Sequence, residues 1–302
     1  MIVNFNGQRF LEACITSIRD HVVCRHEVIM VDNASVDNSV ALMEALFPHV
    51  RLIKSAINTG FTGGNNLGVD HARGDLVLLL NKDTRLIGPI GEAVAAFDNP
   101  KLGALGVHLF YGDGRNQASV GYEHTPLRMV LTWAGLSRYA ALHSVFRLNE
   151  YQPAFYDEPH ERVAWVSGAF LMTRRSLWRT IGGLDARYFM YVEDVDYCKQ
   201  VRLQGFDVGY LPQVHVTHYE GSGKAWIGQA ALCRTARSYR IFLGKHYGPA
   251  MAALTCVCIA AVLALRVPLY AVRYRLKGSV IDQEKARGYV AAAKQALTRL
   301  EG

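Results

Sequence analysis

In the first third of the chain, short apolar runs alternate with stretches whose apolar positions recur every three to four residues. Residues 8–20 place Phe10, Leu11, Cys14, Ile15 and Ile18 on one face of a predicted helix. Residues 37–46 and 64–72 read as further helices, and residues 2–3, 27–31 and 51–54 as short β-branched strands. Residues 75–80, Asp75-Leu76-Val77-Leu78-Leu79-Leu80, form the most apolar strand, a continuous run expected where helices cover both faces of a sheet. Strands alternating with helices predict an α/β fold, with a mostly parallel central sheet and right-handed crossovers.

Regularity lapses over 108–163, where Gly, aromatic and polar residues mix around a possible helix at 127–142. A segment of this kind in a compact enzyme covers or shapes a site. A strand at 165–173, a helix at 174–180 and a helix at 194–204 ending at Gly205 follow. Residues 229–246 read as helical, and 250–265 run for 16 residues without a charge. As a helix that run is about 24 Å long, short of the roughly 30 Å hydrocarbon core. Arg266 interrupts it before an apolar pattern resumes over 267–274, so a helical pair lying in a membrane interface is expected, with a buried hairpin as the alternative.

Charge sharpens this division. Residues 1–219 hold 20 Lys/Arg against 22 Asp/Glu, whereas residues 220–302 hold 13 against 4. The basic surplus flanks an apolar run instead of interleaving with aromatics, which favours an anionic membrane surface over nucleic acid. Half the residues are hydrophobic, with 9 Pro and 27 Gly, which excludes a disordered or collagenous chain. Cys14, Cys24, Cys198, Cys233, Cys256 and Cys258 show no C-x-x-C spacing and read as reduced thiols of a cytoplasmic protein, with no export signal at the start.

Four polar clusters fall at ends of predicted strands, where ligands of open α/β sheets collect. In Val3-Asn4-Phe5-Asn6 and Val31-Asp32-Asn33-Ala34-Ser35-Val36-Asp37, an Asp past a buried strand suits a base or ribose, and the same letters suit a helix cap. In Leu80-Asn81-Lys82-Asp83-Thr84 a carboxylate at a strand end suits a divalent cation bridging phosphates, or simply another cap. In Tyr191-Val192-Glu193-Asp194-Val195-Asp196 three carboxylates crowd a helix start, a pattern that points to a general base or a metal position. His215 and His218 lie an odd step of three apart, on opposite faces of a strand over 214–218, and do not form a chelating pair. Gly221-Ser222-Gly223-Lys224 lacks the spacing of a phosphate-binding loop, and Gly60 to Gly68 that of a dinucleotide fingerprint.

Taken in order, these strings resemble the inverting family 2 glycosyltransferases of GT-A fold, particularly a rhamnosyltransferase-like branch. The resemblance also rests on Asn58-Thr59-Gly60-Phe61, Gly63-Gly64-Asn65-Asn66-Leu67-Gly68, Val166-Ser167-Gly168-Ala169-Phe170 and Gly183-Leu184-Asp185. It implies that Asn4, Phe5 and Asp32 hold the nucleoside, that Asn66 and Asn81 line the donor cleft, and that Asp83 binds Mg²⁺ or Mn²⁺ on the diphosphate. It further implies that Asp194 is the general base supported by Glu193, that His218 is a metal ligand, and that Gly168 and Ala169 leave room for the acceptor. The donor would be a nucleotide sugar, dTDP-rhamnose first among them, and the acceptor a polyprenyl-diphosphate-linked or other glycan. Lys82 stands where the family commonly has Pro.

The expected organisation is a transferase domain over 1–228, with a donor half to 107 and an acceptor half from 108, then a helical extension over 229–302. The extension would hold the protein on the inner face of the cell membrane, peripherally or monotopically. A nucleotidyltransferase would need a Gly-rich basic loop where Asn6-Gly7-Gln8-Arg9 stands. A catalytically inactive sugar-nucleotide scaffold would have little use for Asp83, Glu193 and Asp194 together.

Overall fold

A computed structural model describes residues 1–136, 146–219 and 228–298. The string at 221–224 and the part of the expected helix over 137–142 lie outside them. The chain forms two compact units, one of residues 1–121, 149–189 and 193–223, the other of 122–148, 190–192 and 224–302.

In the first unit, β1 (Ile2–Asn4), β2 (Ile29–Asn33) and β3 (Arg51–Ser55) pair in parallel. They alternate with α1 (Gln8–His21), α2 (Ser39–Leu46) and α3 (Gly60–Asp70). The apolar spacing of α1 acts as expected, since Leu11, Cys14, Ile15 and Ile18 are buried against Ile2 and Met30 in one core. β4 (Leu76–Leu80) continues the sheet beside β1, with Met1 N donating to Leu78 O and Leu80 N to Met1 O. Strand β5 (Thr84–Leu86) and helix α4 (Gly91–Ala95) precede β6 (Leu102–Tyr111). β7 (Val120–Gly121) pairs with β8 (Trp165–Val166), and β9 (Phe170–Arg174) leads to α6 (Arg175–Ile181), α7 (Glu193–Leu203) and β10 (Asp207–His218). The intervening helix α5 (Pro126–Trp133) belongs to the second unit.

Beyond β4 the neighbours run β9, β6, β10, β5, with only β6 and β10 parallel. The parallel arrangement therefore holds in the three-stranded sheet β1–β3, which reaches β4 through the two Met1 backbone hydrogen bonds, and the five-stranded sheet is mixed. β6 is a ten-residue strand that runs into the stretch expected to be irregular. Its glycines allow close packing, because a Cβ at Gly106 would lie 2.5 Å from Val166 Cβ and one at Gly103 2.6 Å from Val201 Cγ1. β10 is longer than the expected 214–218, and its register against β6 slips between Leu211 and His215, where Pro212 lacks a backbone donor.

The second unit contains α5 (Pro126–Trp133), α8 (Gln229–Tyr247), α9 (Pro249–Lys277) and α10 (Val280–Leu297). Thr125 caps α5 by accepting from Arg128 N at 3.3 Å. The expected break at Arg266 does not occur. α9 is one 29-residue helix through Arg266 and Pro268, long and apolar enough to cross a membrane by length and composition. Arg266 is accommodated because its guanidinium lies over the Tyr289 ring of α10, 5.7 Å from the centroid. Among the described residues the six cysteines are free thiols.

Candidate active site

The ends of β1 and β2 build the first part of the site. Asn4, fully buried, donates through Nδ2 to Asp32 Oδ1 at 2.9 Å and to Ser35 Oγ at 3.0 Å, while Asp32 Oδ2 accepts from Ser35 N at 3.1 Å. Asn4 Oδ1 is buried without a hydrogen-bond partner, an acceptor whose desolvation is not offset within the protein. Phe5 beside it is 43% exposed. The capping reading of this cluster applies to a different carboxylate: Asp37 accepts from Gln8 N at 3.0 Å and Ser39 N at 3.1 Å, at the starts of α1 and α2.

The turn after β4 supplies the second part. The antiparallel register of β10 on β5 sets His218 opposite Thr84 and so brings the imidazole to Asp83. His218 Nε2 lies 3.3 Å from Asp83 Oδ2 and 3.2 Å from Asn81 Nδ2, and its Nδ1 lies 3.2 Å from Gln117 Oε1. Gln117, with its Nε2 3.1 Å and its Oε1 3.2 Å from Nδ1, fixes the ring so that its Nε2 edge faces Asp83. Burial opposes ionisation of Asp83, yet the His218 hydrogen bond and charge, with Lys82 behind them, hold its carboxyl below the usual carboxylate range. His215, on the opposite face as expected, is exposed.

These residues fit a divalent cation. Two ligands of an octahedral ion of 2.0–2.1 Å bond length stand about 3 Å apart, close to the Asp83–His218 separation, and carboxylate with imidazole suits Mn²⁺ or Mg²⁺. Among the described residues no third His, Cys, Asp or Glu joins them. The remaining positions of such an ion would fall to diphosphate oxygens and water.

The third part is the start of α7. Asp194, half-buried, accepts from Gly168 N at Oδ2 and from its neighbour Val195 N at Oδ1, both at 2.9 Å. Glu193 is 5% exposed, and its Oε2 has no hydrogen-bond partner. Burial, then the charge of Asp194, pushes the Glu193 carboxyl well above its ordinary value. Burial also raises Asp194, with the Gly168 and Val195 amides pulling the other way. The two titrate as a pair, and the backbone donors favour the charge on Asp194 with Glu193 protonated. The second and third parts adjoin, because Asn81 N donates to Ala169 O at 3.1 Å, one residue from the Gly168 amide that holds Asp194.

Three of the implied site residues make contacts of their own with the protein. A Cβ at Gly168 would meet Phe61 Cζ at 3.2 Å and Asp194 Cβ at 3.5 Å, and Ala169 is buried. What this pair contributes is backbone, an amide for Asp194 and a carbonyl for Asn81. Asn66 donates to Leu184 O at 2.7 Å and accepts from Leu184 N at 2.9 Å. It clamps α3 to the segment leading to the acid pair. A second clamp is Phe61 N to Phe189 O at 2.8 Å, at the left-handed Gly60, where a Cβ would lie 2.1 Å from that carbonyl.

Sequence reasoning missed Gln117, which sits in the irregular stretch with no periodic cue. It also missed Ser35, although the Asp-Asn-Ala-Ser turn carried the signal.

The profile described as "Glycosyl transferase family 2" matches residues 1–181. An "N-acetylglucosaminyl-diphospho-decaprenol L-rhamnosyltransferase" of Mycobacterium tuberculosis is 30% identical over 241 residues, 73% of this chain and 76% of that protein. "Rhamnosyltransferase WbbL" of Escherichia coli is 40% identical over 57 residues, 19% of this chain and 22% of its own. Among solved structures, the mannosyltransferase PcManGT from Pyrobaculum calidifontis, in complex with GDP-Man and Mn²⁺, aligns over 98% of this chain and 85% of its own. Its TM-score is 0.56 at 17% identity, a likeness of fold alone.

Proposed function

The chain belongs to glycosyl transferase family 2, as a rhamnosyltransferase-like member with a GT-A fold, and from that premise we propose that it transfers rhamnose from dTDP-rhamnose to a polyprenyl-diphosphate-linked saccharide. The M. tuberculosis relative, an N-acetylglucosaminyl-diphospho-decaprenol L-rhamnosyltransferase, supports both the sugar and the lipid-linked acceptor. The observation that carries a single-displacement mechanism is the half-buried Asp194 carboxylate, fixed by the Gly168 amide beside the buried Glu193.

In this reading Asp194 takes the proton of an acceptor hydroxyl as that oxygen bonds to the anomeric carbon. The bond from that carbon to the nucleoside diphosphate breaks on the opposite side, and the configuration inverts. Glu193, kept protonated by burial, leaves the negative charge on Asp194. Asn4, Asp32 and Phe5 hold the nucleoside, and Asn81 keeps His218 oriented. Asp83 and His218 would hold a divalent cation, which when bound would supply charge neutralisation at the diphosphate. A lipid-linked acceptor supports a reaction at a membrane surface, which this reading takes to be the cytoplasmic face, with the basic, apolar C-terminal helices as the contact.

The test is a titration of dTDP-rhamnose, UDP-hexoses, UDP-galactofuranose and GDP-mannose into the purified protein, with and without Mn²⁺. Metal-dependent binding of dTDP-rhamnose is the expected result. Binding of a different donor would overturn the sugar assignment, and binding of none by folded protein would overturn the transferase reading.

A further inference from the structure

α9 has two faces with opposite fates. Ala252, Thr255, Cys256, Ile259, Ala260 and Leu263 are buried within the helical unit. Met251, Leu254, Leu265, Leu269, Val272 and Leu276 are exposed, between 41% and 79%. Their spacing of three, four or eleven residues puts them on one stripe of a helix about 43 Å long. Six large apolar side chains in line are more than the scattered exposed leucines of an ordinary surface.

The neighbour of α9 decides how this stripe can meet a bilayer. α10 packs along the second half of α9 through Tyr270 against Tyr289, ring centroids 5.5 Å apart, and through the Arg273–Asp282 ion pair at 3.3 Å. Asp282 is 3% exposed, so that pair is built into the helix contact. α10 also carries Glu284, Lys285, Arg287 and Lys294. For α9 to cross a membrane, either this polar helix would follow it into hydrocarbon or the whole contact would be torn away, and both are costly. The apolar length of α9 is thus available only from one side.

Charge selects the surface that would cover the stripe. Residues 249–298 contain seven Lys/Arg against two Asp/Glu. Besides Arg273, which pairs with Asp282, Arg275 and Lys277 are exposed in the last turn of α9 beside the stripe. A second copy of the chain would set these cations against their like, whereas anionic headgroups would neutralise them.

We propose that α9 lies in the plane of an anionic bilayer, with its Met251–Leu276 stripe at the headgroup–acyl boundary and α10 on the aqueous side, and that it does not span. This deepens the membrane contact named above and rests on that part of the reading alone, not on the chemistry of the active site.

The test uses the full chain and sedimentation with vesicles of phosphatidylcholine, with and without 30 mol% phosphatidylglycerol. The wild type is expected to bind the anionic vesicles preferentially and to be released by alkaline carbonate. The triple variant Leu254→Gln/Leu265→Gln/Leu269→Gln should lose partitioning by about tenfold or more. Its circular dichroism, melting temperature and nucleotide-sugar binding should stay unchanged. Leu269→Trp fluorescence should be quenched by lipids brominated near the headgroup more than by lipids brominated near the chain end. Undiminished partitioning of the triple variant, carbonate resistance, or deep quenching would each overturn the in-plane assignment. So would a wild-type dimer that the triple variant dissolves while neither form binds vesicles. Vesicle binding by a protein that takes up no nucleotide sugar would sink the transfer reading and leave this one standing.

Discussion

Asp194→Asn separates the chemistry of the acid pair from its architecture. The carboxylate accepts two backbone hydrogen bonds, from Gly168 N and Val195 N, both at 2.9 Å. An amide of the same shape can accept only one of them, because its NH₂ faces the other donor. Losing a hydrogen bond to a charged group costs about 1.5–3 kcal/mol. Against this, the substitution removes a half-buried charge whose desolvation weighs on the fold. The two effects oppose each other, leaving a net destabilisation of about 1–2 kcal/mol at most, or a melting shift of roughly 2–3 °C for a chain of 302 residues. Loss of the general base lowers transfer by about 10²–10⁴. The assay is turnover of nucleotide sugar with a short-chain lipid-linked acceptor, beside thermal melts and donor titrations of both proteins. Turnover within tenfold of wild type, in a variant that melts and binds donor normally, would refute Asp194 as the base.

Asp83→Ala should abolish the Mn²⁺-dependent part of donor affinity, and chelation should do the same to the wild type; calorimetric titration in which metal makes no difference to either would remove the Asp83–His218 cation site. Glu193→Gln tests the sign of a raised carboxyl. The folded protein holds that proton more tightly than the unfolded chain, so wild-type stability falls as pH rises from the usual carboxylate range through the folded value. The variant should therefore gain on wild type between pH 4.5 and pH 8 in urea melts, and a gap that narrows with rising pH would contradict the assignment. Gly60→Ala should cost well over the roughly 1–2 kcal/mol of a left-handed backbone, because its Cβ meets the Phe189 carbonyl. Gly182→Ala, at φ 86° with nothing within 4 Å, should cost only the backbone part, and equal melting temperatures for the two would show that the Phe189 contact is not what fixes Gly60.

Where periodicity was strong the fold could be read directly, as with α1 and the apolar run of β4. The strands that were missed or shortened share a physical cause. β6 carries Gly103, Gly106 and His108 where alternation would need larger apolar residues, and β10 contains Pro212 at its register slip. β5 is three residues long, too short for any pattern. In the site, the carboxylates stand at strand ends and helix starts in strings that the sequence singles out, whereas His218 enters only through the family resemblance. The partners that orient them were not legible. Gln117 and Gly168 act through positions that only the folded sheet brings near, 101 and 26 residues from the groups they hold. The bonds of Asn66 to the Leu184 backbone were not legible, since a string cannot say which groups 118 residues away an amide meets.

The place of β10 between β6 and β5 has a consequence for the protein as it leaves the ribosome. Both flanking strands are synthesised by residue 111, but the strand that joins them ends at His218. At 5–20 residues per second the intervening stretch takes on the order of 5–20 s, during which β6 and β5 each offer an open hydrogen-bonding edge. The same late strand delivers the imidazole to Asp83, so a nascent chain gains its cation-binding pair only as its sheet closes. A ribosome stalled before His218 emerges would thus display two unpaired edges, a substrate for chaperones and a hazard for aggregation, and no assembled site.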